Sequence, residues 1–144
     1  MSLPLDELYR DLILDHYKAP RNRGELEPRS ARVEGNNPLC GDEIQVDVLA
    51  EHGKLEAIAF KGRGCSISQA SASMMTEAVK NLGVDEIQQL IATFKAMMHG
   101  ETVDTEELGD LEALEGVQKF PVRIKCALLA WTTLEQALRE TAAR

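Results

Sequence analysis

Positive charge, aromatic side chains and long apolar runs are all scarce in this chain of 144 residues. Aromatic residues make up 4% of it, and no apolar stretch approaches the roughly 20 residues that a bilayer-spanning helix requires. A formal net charge of -8 disfavours binding to nucleic acid through its phosphates. We therefore expect no membrane segment and no nucleic acid partner, and we expect protein partners to present basic surfaces.

Cysteine is also scarce, and its three copies are odd in number and widely spaced, which excludes a paired disulfide framework. Asp6 and Glu7 stand where a secretory signal would need an apolar run. Both features indicate the reducing cytoplasm. With 44% hydrophobic and 28% charged residues, the chain is typical of one globular domain, residues 1–144, that buries a core without disulfides.

Hydrophobic periodicity predicts an α+β fold. Apolar residues at helical spacing indicate a first helix over residues 4–18, and an unbroken pattern indicates a long final helix over residues 121–141. Alternating patterns predict strands at residues 31–34, 44–48 and 55–61. We expect a three-stranded antiparallel sheet packed against several helices.

Two further helices are predicted between the sheet and the final helix. Ser66 followed by Gln69 is typical of a capping box, which would begin a helix that runs to Lys80 and is ended by Gly83. Asp85 with Gln88 would cap the next helix, which is predicted over residues 86–98.

A polar turn places a thiol and a carboxylate, Cys40 and Asp42, on either side of Gly41. The glycine allows the backbone to bend so that both side chains can point at a common site. Taken alone, the tripeptide is equally consistent with an ordinary turn. Together with Cys65 and Cys126 it offers three thiols and one carboxylate, a suitable ligand set for a tetrahedral metal.

The other two cysteines have surroundings that fit a site. Cys65 precedes a predicted helix, whose positive dipole end favours thiolate over thiol. Cys126 lies on the apolar face of the final helix, so it is held by packing, and the alternative interpretation is a small buried hydrophobic residue. Arg123 leads the same face one turn earlier, from which its guanidinium could reach whatever Cys126 binds.

Two polar features have a simpler interpretation. His16 ends the first helix, near the negative end of its dipole, and a lone histidine needs convergent partners before it is assigned as a ligand. Residues 101–116 interleave carboxylates with leucines. A solvated amphipathic face is the favoured interpretation of that stretch, and a docking segment for a basic partner is the alternative.

Four segments of the chain carry a family resemblance. They are residues 9–22, with Asp-His-Tyr at 15–17 and Pro-Arg-Asn at 20–22; Pro-Leu-Cys-Gly-Asp at 38–42; Gly-Arg-Gly-Cys-Ser-Ile-Ser at 62–68; and Pro-Val-Arg-Ile-Lys-Cys-Ala-Leu-Leu-Ala at 121–130. In this order they resemble the N-terminal segment and the three cysteine motifs of the IscU/SufU/NifU N-terminal family of iron-sulfur cluster assembly proteins. The resemblance covers nearly the whole chain, which makes it far more specific than any one motif.

Within that family the chain is more similar to SufU-type members than to IscU-type scaffolds. IscU-type proteins carry a histidine immediately before the third cysteine, and this chain has Lys125 there. SufU-type proteins carry an insertion between the second and third motifs, which the acidic stretch at about residues 100–118 resembles.

The resemblance implies a zinc-dependent sulfurtransferase in which Cys40, Asp42, Cys65 and Cys126 bind zinc. The protein would take persulfide sulfur from a SufS-type cysteine desulfurase and pass it on to downstream iron-sulfur assembly proteins. Because Gly41 can absorb a change of backbone angle, Cys40 is the predicted sulfur acceptor. Arg123 is predicted to support this transfer of sulfur to Cys40.

Two other functions use the same residues. Three cysteine thiolates could hold a [2Fe-2S] cluster in a non-enzymatic scaffold that transfers the cluster to apo-proteins. The absence of the family's histidine argues against this alternative. A purely structural zinc module is disfavoured, because such modules have closed ligation and short ligand spacings.

Overall fold

The structure, a computed structural model, describes residues 5–142. Its helices and strands, in chain order, are α1 (Leu5–Lys18), β1 (Ala31–Asn37), β2 (Asp42–Glu51), β3 (Lys54–Arg63), α2 (Ser66–Val79), α3 (Val84–Met98) and α4 (Pro121–Ala142). Two short 3-10 helices, Thr105–Glu107 and Gly109–Lys119, lie between α3 and α4, and we call residues 105–119 the 3-10 segment.

The three strands form one antiparallel sheet in the order β1-β2-β3, which confirms the predicted α+β fold. Side chains alternate between the two faces of a strand, and Ile44, Val46 and Val48 of β2 are buried on the face against which the helices pack. Asp42 begins the strand with the same parity, so it faces the helices too. Asp47 has the opposite parity and faces away from them.

Helix α4 crosses the sheet and joins it to the other helices. Its apolar face is buried as predicted, and Trp131 stacks on Phe94 of α3 with 4.4 Å between ring centroids. The indole N–H of Trp131 donates to the Ser71 hydroxyl at 3.1 Å, and that hydroxyl donates to the Ala127 carbonyl at 2.7 Å. Small residues in α2 therefore serve close packing against α4 and satisfy its polar groups.

Both predicted capping boxes were wrong, although Cys65 lies just outside the N-terminus of α2, as expected. Helix α2 has Cys65 as its N-cap with no side-chain capping bond, so Ser66 already lies inside the helix and forms no capping box with Gln69. Helix α3 begins two residues earlier than expected, because Gly83 is its N-cap and its N–H donates to Glu86 at 3.1 Å. In both cases a neighbouring carboxylate binds the free backbone N–H in place of the expected cap.

The acidic stretch packs against the body of the protein on its apolar side. Leu108, Leu111 and Leu114 are buried, with contacts from the 3-10 segment to α1, α2, α3 and α4, whereas all but one of its acidic residues are exposed. The predicted amphipathic pattern is confirmed, although the helix type is 3-10. That these residues are an insertion stays a prediction.

None of the helices within residues 5–142 has the length and apolarity that crossing a membrane would require.

Candidate metal centre

The hairpin between β1 and β2 positions the first two site residues. Asn37 and Asp42 pair across the strands, and residues 38–41 form the turn between them. The backbone N–H groups of Cys40 and Gly41 donate to the Asn37 carbonyl at 3.2 and 2.9 Å. Gly41 has a φ of 70°, a left-handed conformation that glycine adopts without a steric penalty. The turn thus holds Cys40 two residues from a fully buried carboxylate.

The start of α2 binds one oxygen of that carboxylate. The backbone N–H of Cys65 donates to Asp42 Oδ1 at 2.9 Å, as is typical of an acid at a helix N-terminus. Gly64 lets the loop approach this closely, because a Cβ there would overlap Asp42 Oδ1. The other oxygen, Asp42 Oδ2, is buried and has no hydrogen-bond partner among the described residues.

Helix α4 brings the third thiol from the other end of the chain. Cys126 is fully buried, and its Sγ lies 2.9 Å from Cys40 Sγ. The side-chain amide of Asn37 donates towards both sulfur atoms, at 3.5 Å to Cys40 and 3.9 Å to Cys126. Two thiols from distant parts of the chain therefore share one polar contact.

The ligand atoms of Cys40, Asp42 and Cys126 all lie within 4.8 Å of one another. Cys65 is outside this group of three, and is joined to it by its backbone bond to Asp42. The structure thus brings three of the four predicted ligands together and places the fourth beside them. Thiolates with a buried oxygen that lacks a partner are a donor set that suits zinc.

Burial and charge shift the acidity of groups around the centre. Burial raises the pKa of the Cys126 thiol, and the neighbouring Cys40 and Asp42 raise it further. A bound cation would oppose this effect, since coordination deprotonates thiols. Arg123 is exposed at the start of α4, and the charge of Cys65, followed by contact with Cys126, raises the pKa of its guanidinium. Arg123 is therefore a cation near two of the thiols.

Asn37 and Gly64 are site residues that the sequence interpretation missed. The signal for Asn37 was strand parity: it continues the inward-facing positions of β1, but the predicted strand stopped at residue 34. No sequence pattern indicated the close approach at Gly64, because its neighbour Asp42 begins β2, which is distant in the sequence from the loop that carries Gly64.

Fold and centre together define a small α+β protein with a candidate metal centre and with cysteines at a hairpin, at a helix N-terminus and on a long C-terminal helix. The family described as the NifU-like N terminal domain matches residues 8–142. The chain belongs to this family, as its cysteine motifs predicted.

Individual relatives cover nearly the whole chain. The zinc-dependent sulfurtransferase SufU of Bacillus subtilis is 49% identical over 93% of this chain and 91% of its own length. The iron-sulfur cluster assembly scaffold protein IscU of Streptococcus pyogenes is 45% identical over 96% of this chain and 87% of its own. The N-terminal part of a NifU-like protein from Brucella abortus superposes with a TM-score of 0.88 over 97% of this chain and 98% of its own; at 21% identity this likeness supports the fold alone.

Proposed function

We propose that this protein is a zinc-bound sulfur acceptor in iron-sulfur cluster assembly, with the activity named for its relative from B. subtilis. The main support is the carboxylate oxygen Asp42 Oδ2, which is buried beside the Cys40 and Cys126 thiols and has no hydrogen-bond partner within residues 5–142. Such an atom is costly unless something binds it. Cys65 would complete the ligand set. Zinc would keep the thiols deprotonated and would add no redox chemistry of its own.

The acceptor in this proposal is Cys40. Its thiolate attacks the outer sulfur of a cysteine persulfide on the donor enzyme; a new sulfur-sulfur bond forms on Cys40 and the donor cysteine leaves as its thiolate. The exchange needs no external oxidant or reductant. Cys40 suits this role because it is half-buried on a turn, whereas Cys126 is fully buried on a packed helix. Cys65 is anchored at the start of α2.

Arg123 supports the step in this proposal. It is exposed at the start of α4, three residues before Cys126, and its charge would stabilise a thiolate or persulfide anion at the centre. Leu39, Phe120 and Val122 are exposed large apolar side chains in the segments that carry Cys40 and Cys126. They would form the apolar part of the surface that a SufS-type desulfurase contacts.

The test is a desulfurase assay combined with mapping of the product. A SufS-type desulfurase should turn over cysteine faster when this protein is present, and raised salt should weaken the effect because the net charge is -8. After one turnover, alkylation and peptide mass mapping should find the persulfide on Cys40. Equal turnover with and without the protein would refute the acceptor role, and a persulfide on Cys65 or Cys126 alone would refute the choice of Cys40.

The relative named as a scaffold supports a second candidate, assembly of a [2Fe-2S] cluster on the same thiols. Lys125, which stands where IscU-type proteins have histidine, offers a test because it is exposed and can be replaced without disturbing the core. Wild type and Lys125→His are purified without oxygen and supplied with iron and sulfide. Cluster absorbance in the wild type, with little bound zinc, would favour the scaffold; zinc in the wild type and clusters only in the variant would favour the acceptor.

A further inference from the structure

A groove of about 920 Å³ lies between α1, α2, α3 and the 3-10 segment, away from the metal centre. Its floor is apolar and includes Leu12 of α1, Met74 of α2 and Leu90 of α3. Leu108 and Leu111 of the 3-10 segment form one wall, so the acidic stretch contributes both its leucines and its carboxylates.

The rim of this groove carries six carboxylates, and all six residues are exposed: Glu77, Asp85, Glu86, Glu106, Glu107 and Asp110. Among residues 5–142, none of them forms an ion pair. The acids that do form ion pairs lie elsewhere: Asp15, Glu25, Glu27, Glu43, Asp47 and Glu135. Other exposed acids, such as Glu34, Glu51 and Glu56, also have no ion pair among the described residues. The groove differs from the rest of the surface because six such carboxylates surround one apolar floor.

The positive groups that line the groove do not balance this charge. Arg21 donates to Asp15 at 2.6 Å, so its charge is already paired outside the groove. His16 is buried, with Nδ1 2.7 Å from the Ser73 hydroxyl, and burial, followed by the charge of Arg21, lowers its pKa. The histidine is therefore neutral at physiological pH and adds no positive charge.

The groove and the metal centre lie at opposite ends of α2. Cys65 caps the N-terminus of this helix and Glu77 lies 12 positions further along it, which corresponds to about 18 Å along the axis. A molecule bound in the groove would leave the thiols free to contact a different partner.

We propose that this groove binds a basic amphipathic segment of a partner protein, whose apolar side chains cover the floor while its lysines or arginines face the rim. Both halves of the surface are needed for this assignment. An apolar floor favours burial of apolar side chains, and uncompensated carboxylates select a cationic partner and repel an acidic one. A small polycation without apolar side chains would not bury the apolar floor of the groove.

The test measures binding of labelled peptides to the full chain by fluorescence anisotropy. The probe is an amphipathic peptide of leucine and lysine, compared with a leucine and glutamate peptide and with a serine and lysine peptide of equal charge. The protein should bind the leucine and lysine peptide most tightly. In the combined variant Glu77→Gln, Asp85→Asn, Glu106→Gln the affinity should fall about tenfold, because three exposed charge contacts are lost.

The matched control neutralises three exposed acids outside the groove: Glu34→Gln, Glu51→Gln and Glu56→Gln. It changes the net charge equally and should alter affinity less than about twofold, since screened charges at a distance contribute little. Three outcomes would overturn the proposal: no binding of the leucine and lysine peptide, equal losses in both triple variants, or equally tight binding of the serine and lysine peptide. The last would indicate a site for polycations only.

Discussion

Two aspartates of strand β2, Asp42 and Asp47, are both completely buried, yet their surroundings are opposite in kind. Asp47 accepts hydrogen bonds from Arg32 Nε at 2.7 Å, from Arg32 Nη2 at 2.8 Å and from the Leu26 N–H at 2.9 Å. Arg32 is its direct partner across the strand pair. The negative charge of Asp47 is therefore paired, and both of its oxygens accept hydrogen bonds within the fold.

Only one of the two oxygens of Asp42 accepts a hydrogen bond from the described residues. One oxygen accepts the Cys65 N–H, and the other has no partner in the part of the chain that the structure describes. No arginine or lysine forms an ion pair with it among those residues, and its close neighbours are two thiols. Buried charges are normally paired or bound to metal. From this comparison we infer that Asp47 stabilises the fold, whereas Asp42 is available to bind the proposed metal.

The largest expected effect separates the two aspartates by metal content. Asp42→Asn removes a charged ligand, so zinc affinity should fall about a thousandfold, or about 4 kcal/mol. The matched variant Asp47→Asn should keep about one zinc per chain, because its site is on the other face of the sheet. Elemental analysis and competition with a chelator measure both. If Asp42→Asn bound zinc as tightly as the wild type, Asp42 would not be a metal ligand and the contrast between the two aspartates would be wrong.

The second prediction concerns the pair that stabilises the fold. Arg32→Ala leaves the buried charge of Asp47 with only its other hydrogen bonds, and should cost about 3 kcal/mol in the free energy of unfolding. Arg29→Ala is the control, because its partner Glu27 is exposed, and it should cost less than about 1 kcal/mol. Denaturant unfolding of zinc-loaded protein measures both. Similar losses would show that burial of the carboxylate is not what matters.

The third prediction reverses the usual effect of substituting a buried polar residue. In chelator-treated protein, Asp42→Asn removes an uncompensated charge and should stabilise the fold by about 1 kcal/mol. The same substitution should destabilise the zinc-loaded protein, because the metal no longer binds the folded state. Thermal unfolding with and without zinc measures both signs. If Asp42→Asn destabilised the chelated form, the carboxylate would have a structural role like that of Asp47.

The smallest effect is a pH dependence. Burial by itself raises the pKa of Asp47, but the bonds from Arg32 and Leu26 outweigh it, so the pKa in the folded state lies below the ordinary value. A lowered folded-state pKa means that its stabilisation is present above the unfolded value of about 3.9 and is lost as pH falls through the folded-state pKa. The difference in unfolding free energy between wild type and Asp47→Asn should therefore shrink in that acid range. If the difference in unfolding free energy did not change with pH, the charge of Asp47 would not be the source of the stabilisation.

Local patterns predicted much of the fold. Alternation identified the core of each strand, although β1 extends through the glycine and asparagines that end it. Helical periodicity placed Cys126 on a buried face with Ala127 and Leu134. These predictions hold because burial of one face is a property of the segment itself. The predicted capping boxes were wrong because the Cys65 N–H binds Asp42, which comes from a distant strand, and because the Gly83 N–H binds Glu86.

For the candidate site, too, some features follow from the sequence and others only from the tertiary structure. The sequence by itself determined which residues are candidates for the chemistry: three cysteines, the aspartate two positions after the first, and the arginine three positions before the third. It also determined that the acidic stretch is amphipathic. Only the tertiary structure decided that Asp47 is paired while Asp42 Oδ2 is buried with no partner among the described residues, and that the acidic stretch would form one wall of a groove with α1 and α3. The physical reason is that satisfaction of a charge depends on groups brought together from distant parts of the chain, and no local pattern records which of them meet.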